Sequence, residues 1–244
     1  MILETFASEA ELVAALGRRL IALVVQQPAA VLGLPTGRTP LALYAELVRL
    51  TTSEGADWRA VRTFNLDEFV GLGKGDAGSY RSFMDARLFG HLNVRPDHIG
   101  FLDGRAGDLA AECARYERAI VAAGGIDLMI LGIGANGHIG FNEPADVLAA
   151  RTHRVTLDEE TRAGNALWFG GDIQQVPREA LTMGMATILS ARAIVLIATG
   201  EAKTEAVAAM LDGGVTTRVP ASFLQLHPQV TVMLDEHAFA REDH

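Results

Sequence analysis

Residues 126–137, Ile126-Asp127-Leu128-Met129-Ile130-Leu131-Gly132-Ile133-Gly134-Ala135-Asn136-Gly137, decide the fold. The stretch 126–133 is almost continuously apolar and too short for a typical helix, which is how a strand covered on both faces reads. It stops in a glycine- and amide-rich turn, the composition of a loop that leaves a strand end. Working outward, the same grammar recurs. Residues 29–34 form a short apolar run that stops at Pro35-Thr36-Gly37, and 61–66 read as a strand running into Asp67 and Glu68. Further strands are predicted over 152–157, 193–198 and 229–234. Between them, apolar residues at helical spacing predict helices over 8–27, 41–50, 79–89, 108–123, 178–190 and 202–212, with Pro40 at the first helical position of the second. Alternation of this kind predicts an α/β fold with a mostly parallel sheet and helices on both faces.

The remaining features bound the class. The 244 residues, 49% of them hydrophobic, suit a single domain across 1–244, with neither a solenoid repeat nor a long flexible linker. The loop 71–78 has the most flexible composition. The chain opens without a basic leader and holds no apolar run near the ~18–20 residues that span a bilayer, so a soluble cytoplasmic protein with no membrane partner is expected. Its one cysteine, Cys113, cannot form an internal disulfide, and its helical setting suits packing better than nucleophilic chemistry. A net charge of −9 argues against a nucleic-acid surface. An anionic ligand must therefore be met by local positive features.

Ligands of open α/β sheets sit outside the carboxyl ends of the strands, so the loops after Leu34, Leu66, Ile133 and Ala198 should border one site. Thr36-Gly37-Arg38-Thr39 joins a strand end to a helix start, where backbone N–H groups and the helix dipole favour an anion such as phosphate; a plain connecting loop has the same composition. Neither a dinucleotide fingerprint nor a P-loop is present. At Asp67-Glu68, strand parity lets one carboxylate face the cleft while its neighbour faces away, and Asp67 is the better-placed base; a solvated acidic loop is the plainer alternative. The turn 132–144 presents His138 with Glu143 five residues on, and Glu143 can orient the imidazole and stabilise its charged form, unless His138 merely satisfies a turn. Lys203, near the next helix start, can neutralise a bound phosphate or lie on a solvated face. The seven histidines show no metal-ligand spacing, so no metal is expected.

Taken together, Gly33-Leu34-Pro35-Thr36-Gly37-Arg38-Thr39-Pro40, Phe64-Asn65-Leu66-Asp67-Glu68-Phe69-Val70-Gly71-Leu72, Ser79-Tyr80-Arg81-Ser82-Phe83-Met84 and residues 131–144 resemble the glucosamine-6-phosphate deaminase family. So do Gln175-Val176-Pro177, Ala180-Leu181-Thr182-Met183-Gly184 and Leu224-Gln225-Leu226-His227-Pro228. The resemblance implies a modified Rossmann-like three-layer fold without metal or nucleotide cofactor. It also implies an aldose–ketose isomerisation in which glucosamine 6-phosphate and water give fructose 6-phosphate and ammonia. In that scheme Asp67 moves a proton from C2 to C1, and His138, held by Glu143, opens the ring. Asn136 stands where some members carry Asp and can only orient His138 or bind the sugar. Leu167 stands where the family usually has a phosphate-binding arginine, whereas Arg38 lies in the anion loop where a small residue is more usual, so Arg38 is expected to supply the missing cation. The loop before Ser79 lacks the usual His-Pro. The resemblance to the shorter members implies no allosteric site and a monomer or small homo-oligomer. The alternatives are an epimeric amino sugar such as galactosamine 6-phosphate, a 6-phosphogluconolactonase-like hydrolase, and a non-catalytic sugar-phosphate sensor.

Overall fold

The computed structural model describes residues 1–239. Its centre is a seven-stranded sheet in the order β1-β10-β9-β6-β2-β3-β5, every pair parallel. These strands are β1 (Ile2–Phe6), β2 (Val31–Leu34), β3 (Arg62–Asn65), β5 (Ile99–Gly100), β6 (Leu128–Gly132), β9 (Ala193–Ala198) and β10 (Val230–Asp235). A second, antiparallel sheet of three strands runs β4 (Asp67–Phe69), β8 (Glu179–Thr182) and β7 (His153–Thr156).

Side-chain parity on the central strands makes two cores. Met129 and Leu131 of β6, and Ile194, Leu196 and Ala198 of β9, face α4 (Leu109–Ala122), α6 (Met185–Leu189) and α7 (Thr204–Asp212). Their neighbours Ile130, Val195 and Ile197 face α1 (Glu9–Gln26), α2 (Leu41–Glu54) and α3 (Tyr80–Arg87). Strands sandwiched in this way need apolar residues at both parities, which explains the continuous run at 126–133. In α1, Leu12, Leu16, Leu20 and Val24 are buried, and Ser8 caps the helix by accepting from the Glu11 N–H. Burying each such side chain contributes about 1.5–3 kcal/mol. Cys113 is buried in the core among Tyr116 and Ile120 of α4.

Several sequence expectations need correction. Residues 178–190 form β8 followed by the short α6, because the segment pairs with β4 and β7 before it can coil. The sheet begins at β1, ahead of the strand at residue 31. Pro40 is the cap of α2 and Leu41 its first residue. The helix α5 (Glu159–Asn165) was not anticipated. The loop 71–78 is tied down: the Gly73 N–H donates to Asp76 at 2.8 Å, the Gly75 N–H to Ser82 at 2.9 Å, and Asp76 is paired with Arg105. Among the described residues, no helix is long and apolar enough to cross a membrane.

Candidate active site

The four loops leaving β2, β3, β6 and β9 meet in one cleft of about 530 Å³ at the carboxyl edge of the central sheet. It is lined by Thr36, Gly37, Arg38 and Thr39, by Asp67, by Asn136 and His138, and by Lys203. α5 and the 3-10 turn Ala166–Phe169 close one wall with Glu160, Thr161, Asn165 and Trp168.

Asp67 and Glu68, adjacent in sequence, are separated by the parity of β4. Asp67 is buried against the cleft and accepts one hydrogen bond, from the Thr36 hydroxyl at 3.2 Å. Burial, opposed by Thr36 and helped by the nearby Glu68 charge, raises its carboxyl to about 7. A carboxylate poised there is matched to moving a proton at neutral pH. Glu68 is fully buried and turned away. It accepts from the N–H groups of Phe69 at 2.8 Å, Tyr80 at 3.0 Å and Arg81 at 3.0 Å, and from the Ser79 hydroxyl at 2.7 Å. Burial pushes its carboxyl up, and these four donors oppose the push. Glu68 therefore fastens the start of α3 to β4 and takes no place in the cleft.

His138 sits in the turn after β6. The turn closes through Gly134 N–H to His138 carbonyl at 2.9 Å and Gly137 N–H to Gly134 carbonyl at 3.0 Å. A Cβ at 134 would lie 2.3 Å from the imidazole, so any larger residue there would push His138 out of place. His138 Nδ1 lies 3.1 Å from Glu143 Oε2, and Asn136 donates to the same oxygen at 2.8 Å. The Asn136 carbonyl oxygen accepts from the His138 N–H at 3.1 Å, so Asn136 orients both members of the pair. Thr161 of α5 donates to the other Glu143 oxygen at 2.5 Å. Burial acts to raise the Glu143 carboxyl, but the bonds and charge of His138, with Thr161 and Asn136, outweigh it and hold it below the usual range.

The anion loop makes its turn at Gly37, whose φ of +99° lies in the left-handed region. No side chain caps α2 behind it, which leaves that helix end available to a ligand. Arg38 is exposed at the cleft and Lys203 is half-buried in its wall; among the described residues neither is in an ion pair. Burial lowers the Lys203 ammonium against the opposing pull of Glu160. Leu167 is 63% exposed and lies outside the cleft lining, while its neighbours Trp168 and Phe169 pack on Phe83 and Phe69. Among the described residues, no group of three or more His, Cys, Asp or Glu converges as a metal site would.

Sequence reasoning missed Thr161, Tyr80 and Asn165. Tyr80 donates to the Asn165 side chain at 2.8 Å and stacks on Phe141. The signal for α5 was present: Asp158 followed by Glu159 and Glu160 is a helix start, and Asp158 accepts from the Thr161 N–H.

Fold and cleft together define an α/β protein with a buried carboxylate, a carboxylate-held histidine and a glycine turn gathered at the carboxyl ends of its parallel strands. Residues 6–233 match the family described as glucosamine-6-phosphate isomerases/6-phosphogluconolactonase, and the chain belongs to that family. It is 52% identical over 215 residues to a glucosamine-6-phosphate deaminase of Bacillus velezensis, covering 88% of this chain and 89% of the relative. It is 46% identical to glucosamine-6-phosphate deaminase 1 of Bacillus subtilis, covering 88% of each. A solved monomeric glucosamine-6-phosphate deaminase superposes with a TM-score of 0.94 at 43% identity over 98% of both chains. The 6-phosphogluconolactonase of Trypanosoma cruzi, 20% identical with a TM-score of 0.76 over 97% of this chain and 95% of its own, shares the fold.

Proposed function

We propose that this chain, acting as one domain, converts glucosamine 6-phosphate and water to fructose 6-phosphate and ammonia. The observation that carries the reading is that one cleft holds Asp67, buried and raised to about 7, and the His138–Glu143 pair, beside an anion loop. The names of the Bacillus relatives and of the monomeric enzyme support the same substrate.

In this scheme His138 takes the proton of the anomeric hydroxyl and passes it to the ring oxygen, leaving an open-chain aldehyde. Glu143 and Asn136 hold the imidazole for that exchange. Asp67 then removes the proton from C2 and returns it to C1, so one carboxylate serves both half-steps, while the C1 oxygen gains a proton and the amino group gives one up. C2 has become an imine carbon; water adds to it and ammonia leaves. Thr36, Gly37, Arg38, Thr39 and Lys203 bind the phosphate, with Arg38 and Lys203 as its two cations. No step calls on a cofactor. The protein acts in the cytoplasm as a monomer or small homo-oligomer, with a small-molecule sugar phosphate as its partner.

The test is to incubate the purified protein with glucosamine 6-phosphate and follow ammonia and fructose 6-phosphate together, with Asp67→Asn as control. Equal yields of both, lost in the control, are expected. Turnover of galactosamine 6-phosphate alone would move the substrate to the epimer. Hydrolysis of 6-phosphogluconolactone with no ammonia from either amino sugar would overturn the deaminase reading.

A further inference from the structure

Helix α5 touches side chains at the cleft at two points. Thr161, only 7% exposed, gives its hydroxyl to Glu143 Oε1, and Asn165 accepts from the hydroxyl of Tyr80, which also lines the cleft. Asn165 further donates to the Thr161 carbonyl at 2.8 Å, and the Asp158 cap accepts from the Thr161 N–H at 2.6 Å. These two bonds fix the Thr161 backbone at the start of the helix, from which its side chain reaches Glu143. Glu143 Oε2 already serves His138 and Asn136, so Thr161 supplies the donor recorded on the other oxygen.

We infer that Thr161 is a positioning residue that fixes Glu143 for ring opening, tying helix α5 to the His138–Glu143 pair. A carboxylate bound through one oxygen can swing about its terminal bond; bound through both, it presents His138 with one fixed acceptor. Thr161 also helps hold the Glu143 carboxyl below its usual range, keeping it charged when His138 takes a proton. The other ionisable groups lining the cleft are Asp67, Tyr80, Arg38, Glu160 and Lys203. Apart from Asp67, which is replaced by Asn throughout, they are the same in every variant compared below.

The inference rests on the ring-opening role proposed for His138, and the experiment separates the two. In Asp67→Asn protein, which cannot isomerise, ring opening and closure still exchange the two anomers of glucosamine 6-phosphate. Exchange spectroscopy by NMR reads that rate at one pH. If the Asp67→Asn protein fails to accelerate exchange over buffer, the ring-opening reading falls.

If it does accelerate exchange, adding Thr161→Val is expected to slow it about tenfold, the effect of one hydrogen bond to a charged group, while Thr161→Ser stays within about twofold. Should valine compromise folding, the ratio of Thr161→Ser to Thr161→Ala, with melting temperatures measured alongside, isolates the hydroxyl. Equal exchange rates with and without the hydroxyl would overturn the inference, as would a serine variant as slow as valine.

Discussion

Asp67 and Glu68 show how far one step along a strand changes a carboxylate. The first has a single hydroxyl donor and faces the cleft; the second has four donors and none of the cleft. The same contrast separates Arg38 from Leu167. Among the described residues Arg38 is in no ion pair and is exposed at the cleft, whereas Leu167 is exposed outside it. If Arg38 and Lys203 share the phosphate, Arg38→Ala removes a charge-assisted contact made equally before and during the reaction. KM should rise about 10- to 100-fold with kcat within a few-fold, and inhibition by inorganic phosphate should weaken in step. Steady-state kinetics at constant ionic strength check this. An unchanged KM would remove Arg38 from the phosphate site.

Among the elements, the β4–α3 junction depends on Glu68. Replacing it with alanine orphans the buried N–H groups of Phe69 and Tyr80 and strips the Ser79 hydroxyl of its acceptor, leaving the Arg81 N–H only the Ser79 oxygen, so Glu68→Ala should cost on the order of 3–5 kcal/mol in urea unfolding. Ser79→Ala, which removes the helix cap and one of the four donors to Glu68, should cost about 1–2 kcal/mol. A Glu68→Ala loss no larger than that of Ser79→Ala would refute the role. Nothing in the sequence around Asp67-Glu68 names these donors, because Ser79, Tyr80 and Arg81 lie more than ten residues away. Central strands were legible where burial on both faces leaves an unbroken apolar run, as at 128–132. The segment 178–190 was not, since Glu179-Ala180-Leu181-Thr182 has no alternation and is extended only by pairing with β4 and β7. Gly184 then ends it at a close approach, where a Cβ would lie 2.3 Å from the Arg151 carbonyl. β1, an edge strand with Ile2 and Leu3 exposed, carries too weak a pattern to stand out. The cleft's loops were legible because the carboxyl edge of a parallel sheet gathers them. The wall from α5 was readable only at its Asp158-Glu159-Glu160 start, because a seven-residue helix is too short to show an apolar period.

At the scale of the whole molecule, the cleft carries a cost that the rest of the fold must cover. Burial lifts Asp67 from 3.8 to about 7, so between those values the folded chain binds a proton that the unfolded chain has already released. The stabilisation tied to that proton is complete below about pH 4 and is lost as pH rises through about 7. Above pH 7 the native protein therefore holds an ionised carboxylate where its surroundings prefer a neutral one, at a cost of up to about 4 kcal/mol. Asn keeps the shape and still accepts from Thr36, but it cannot ionise. Asp67→Asn should thus abolish turnover and raise stability together, by on the order of 2–4 kcal/mol at pH 8, with the advantage fading towards pH 4. Urea unfolding of both proteins across pH 4–8 reads this directly. A stability difference that stays flat with pH would show that Asp67 is not held near 7, and with it would fall the argument that the cleft keeps its base poised for neutral pH.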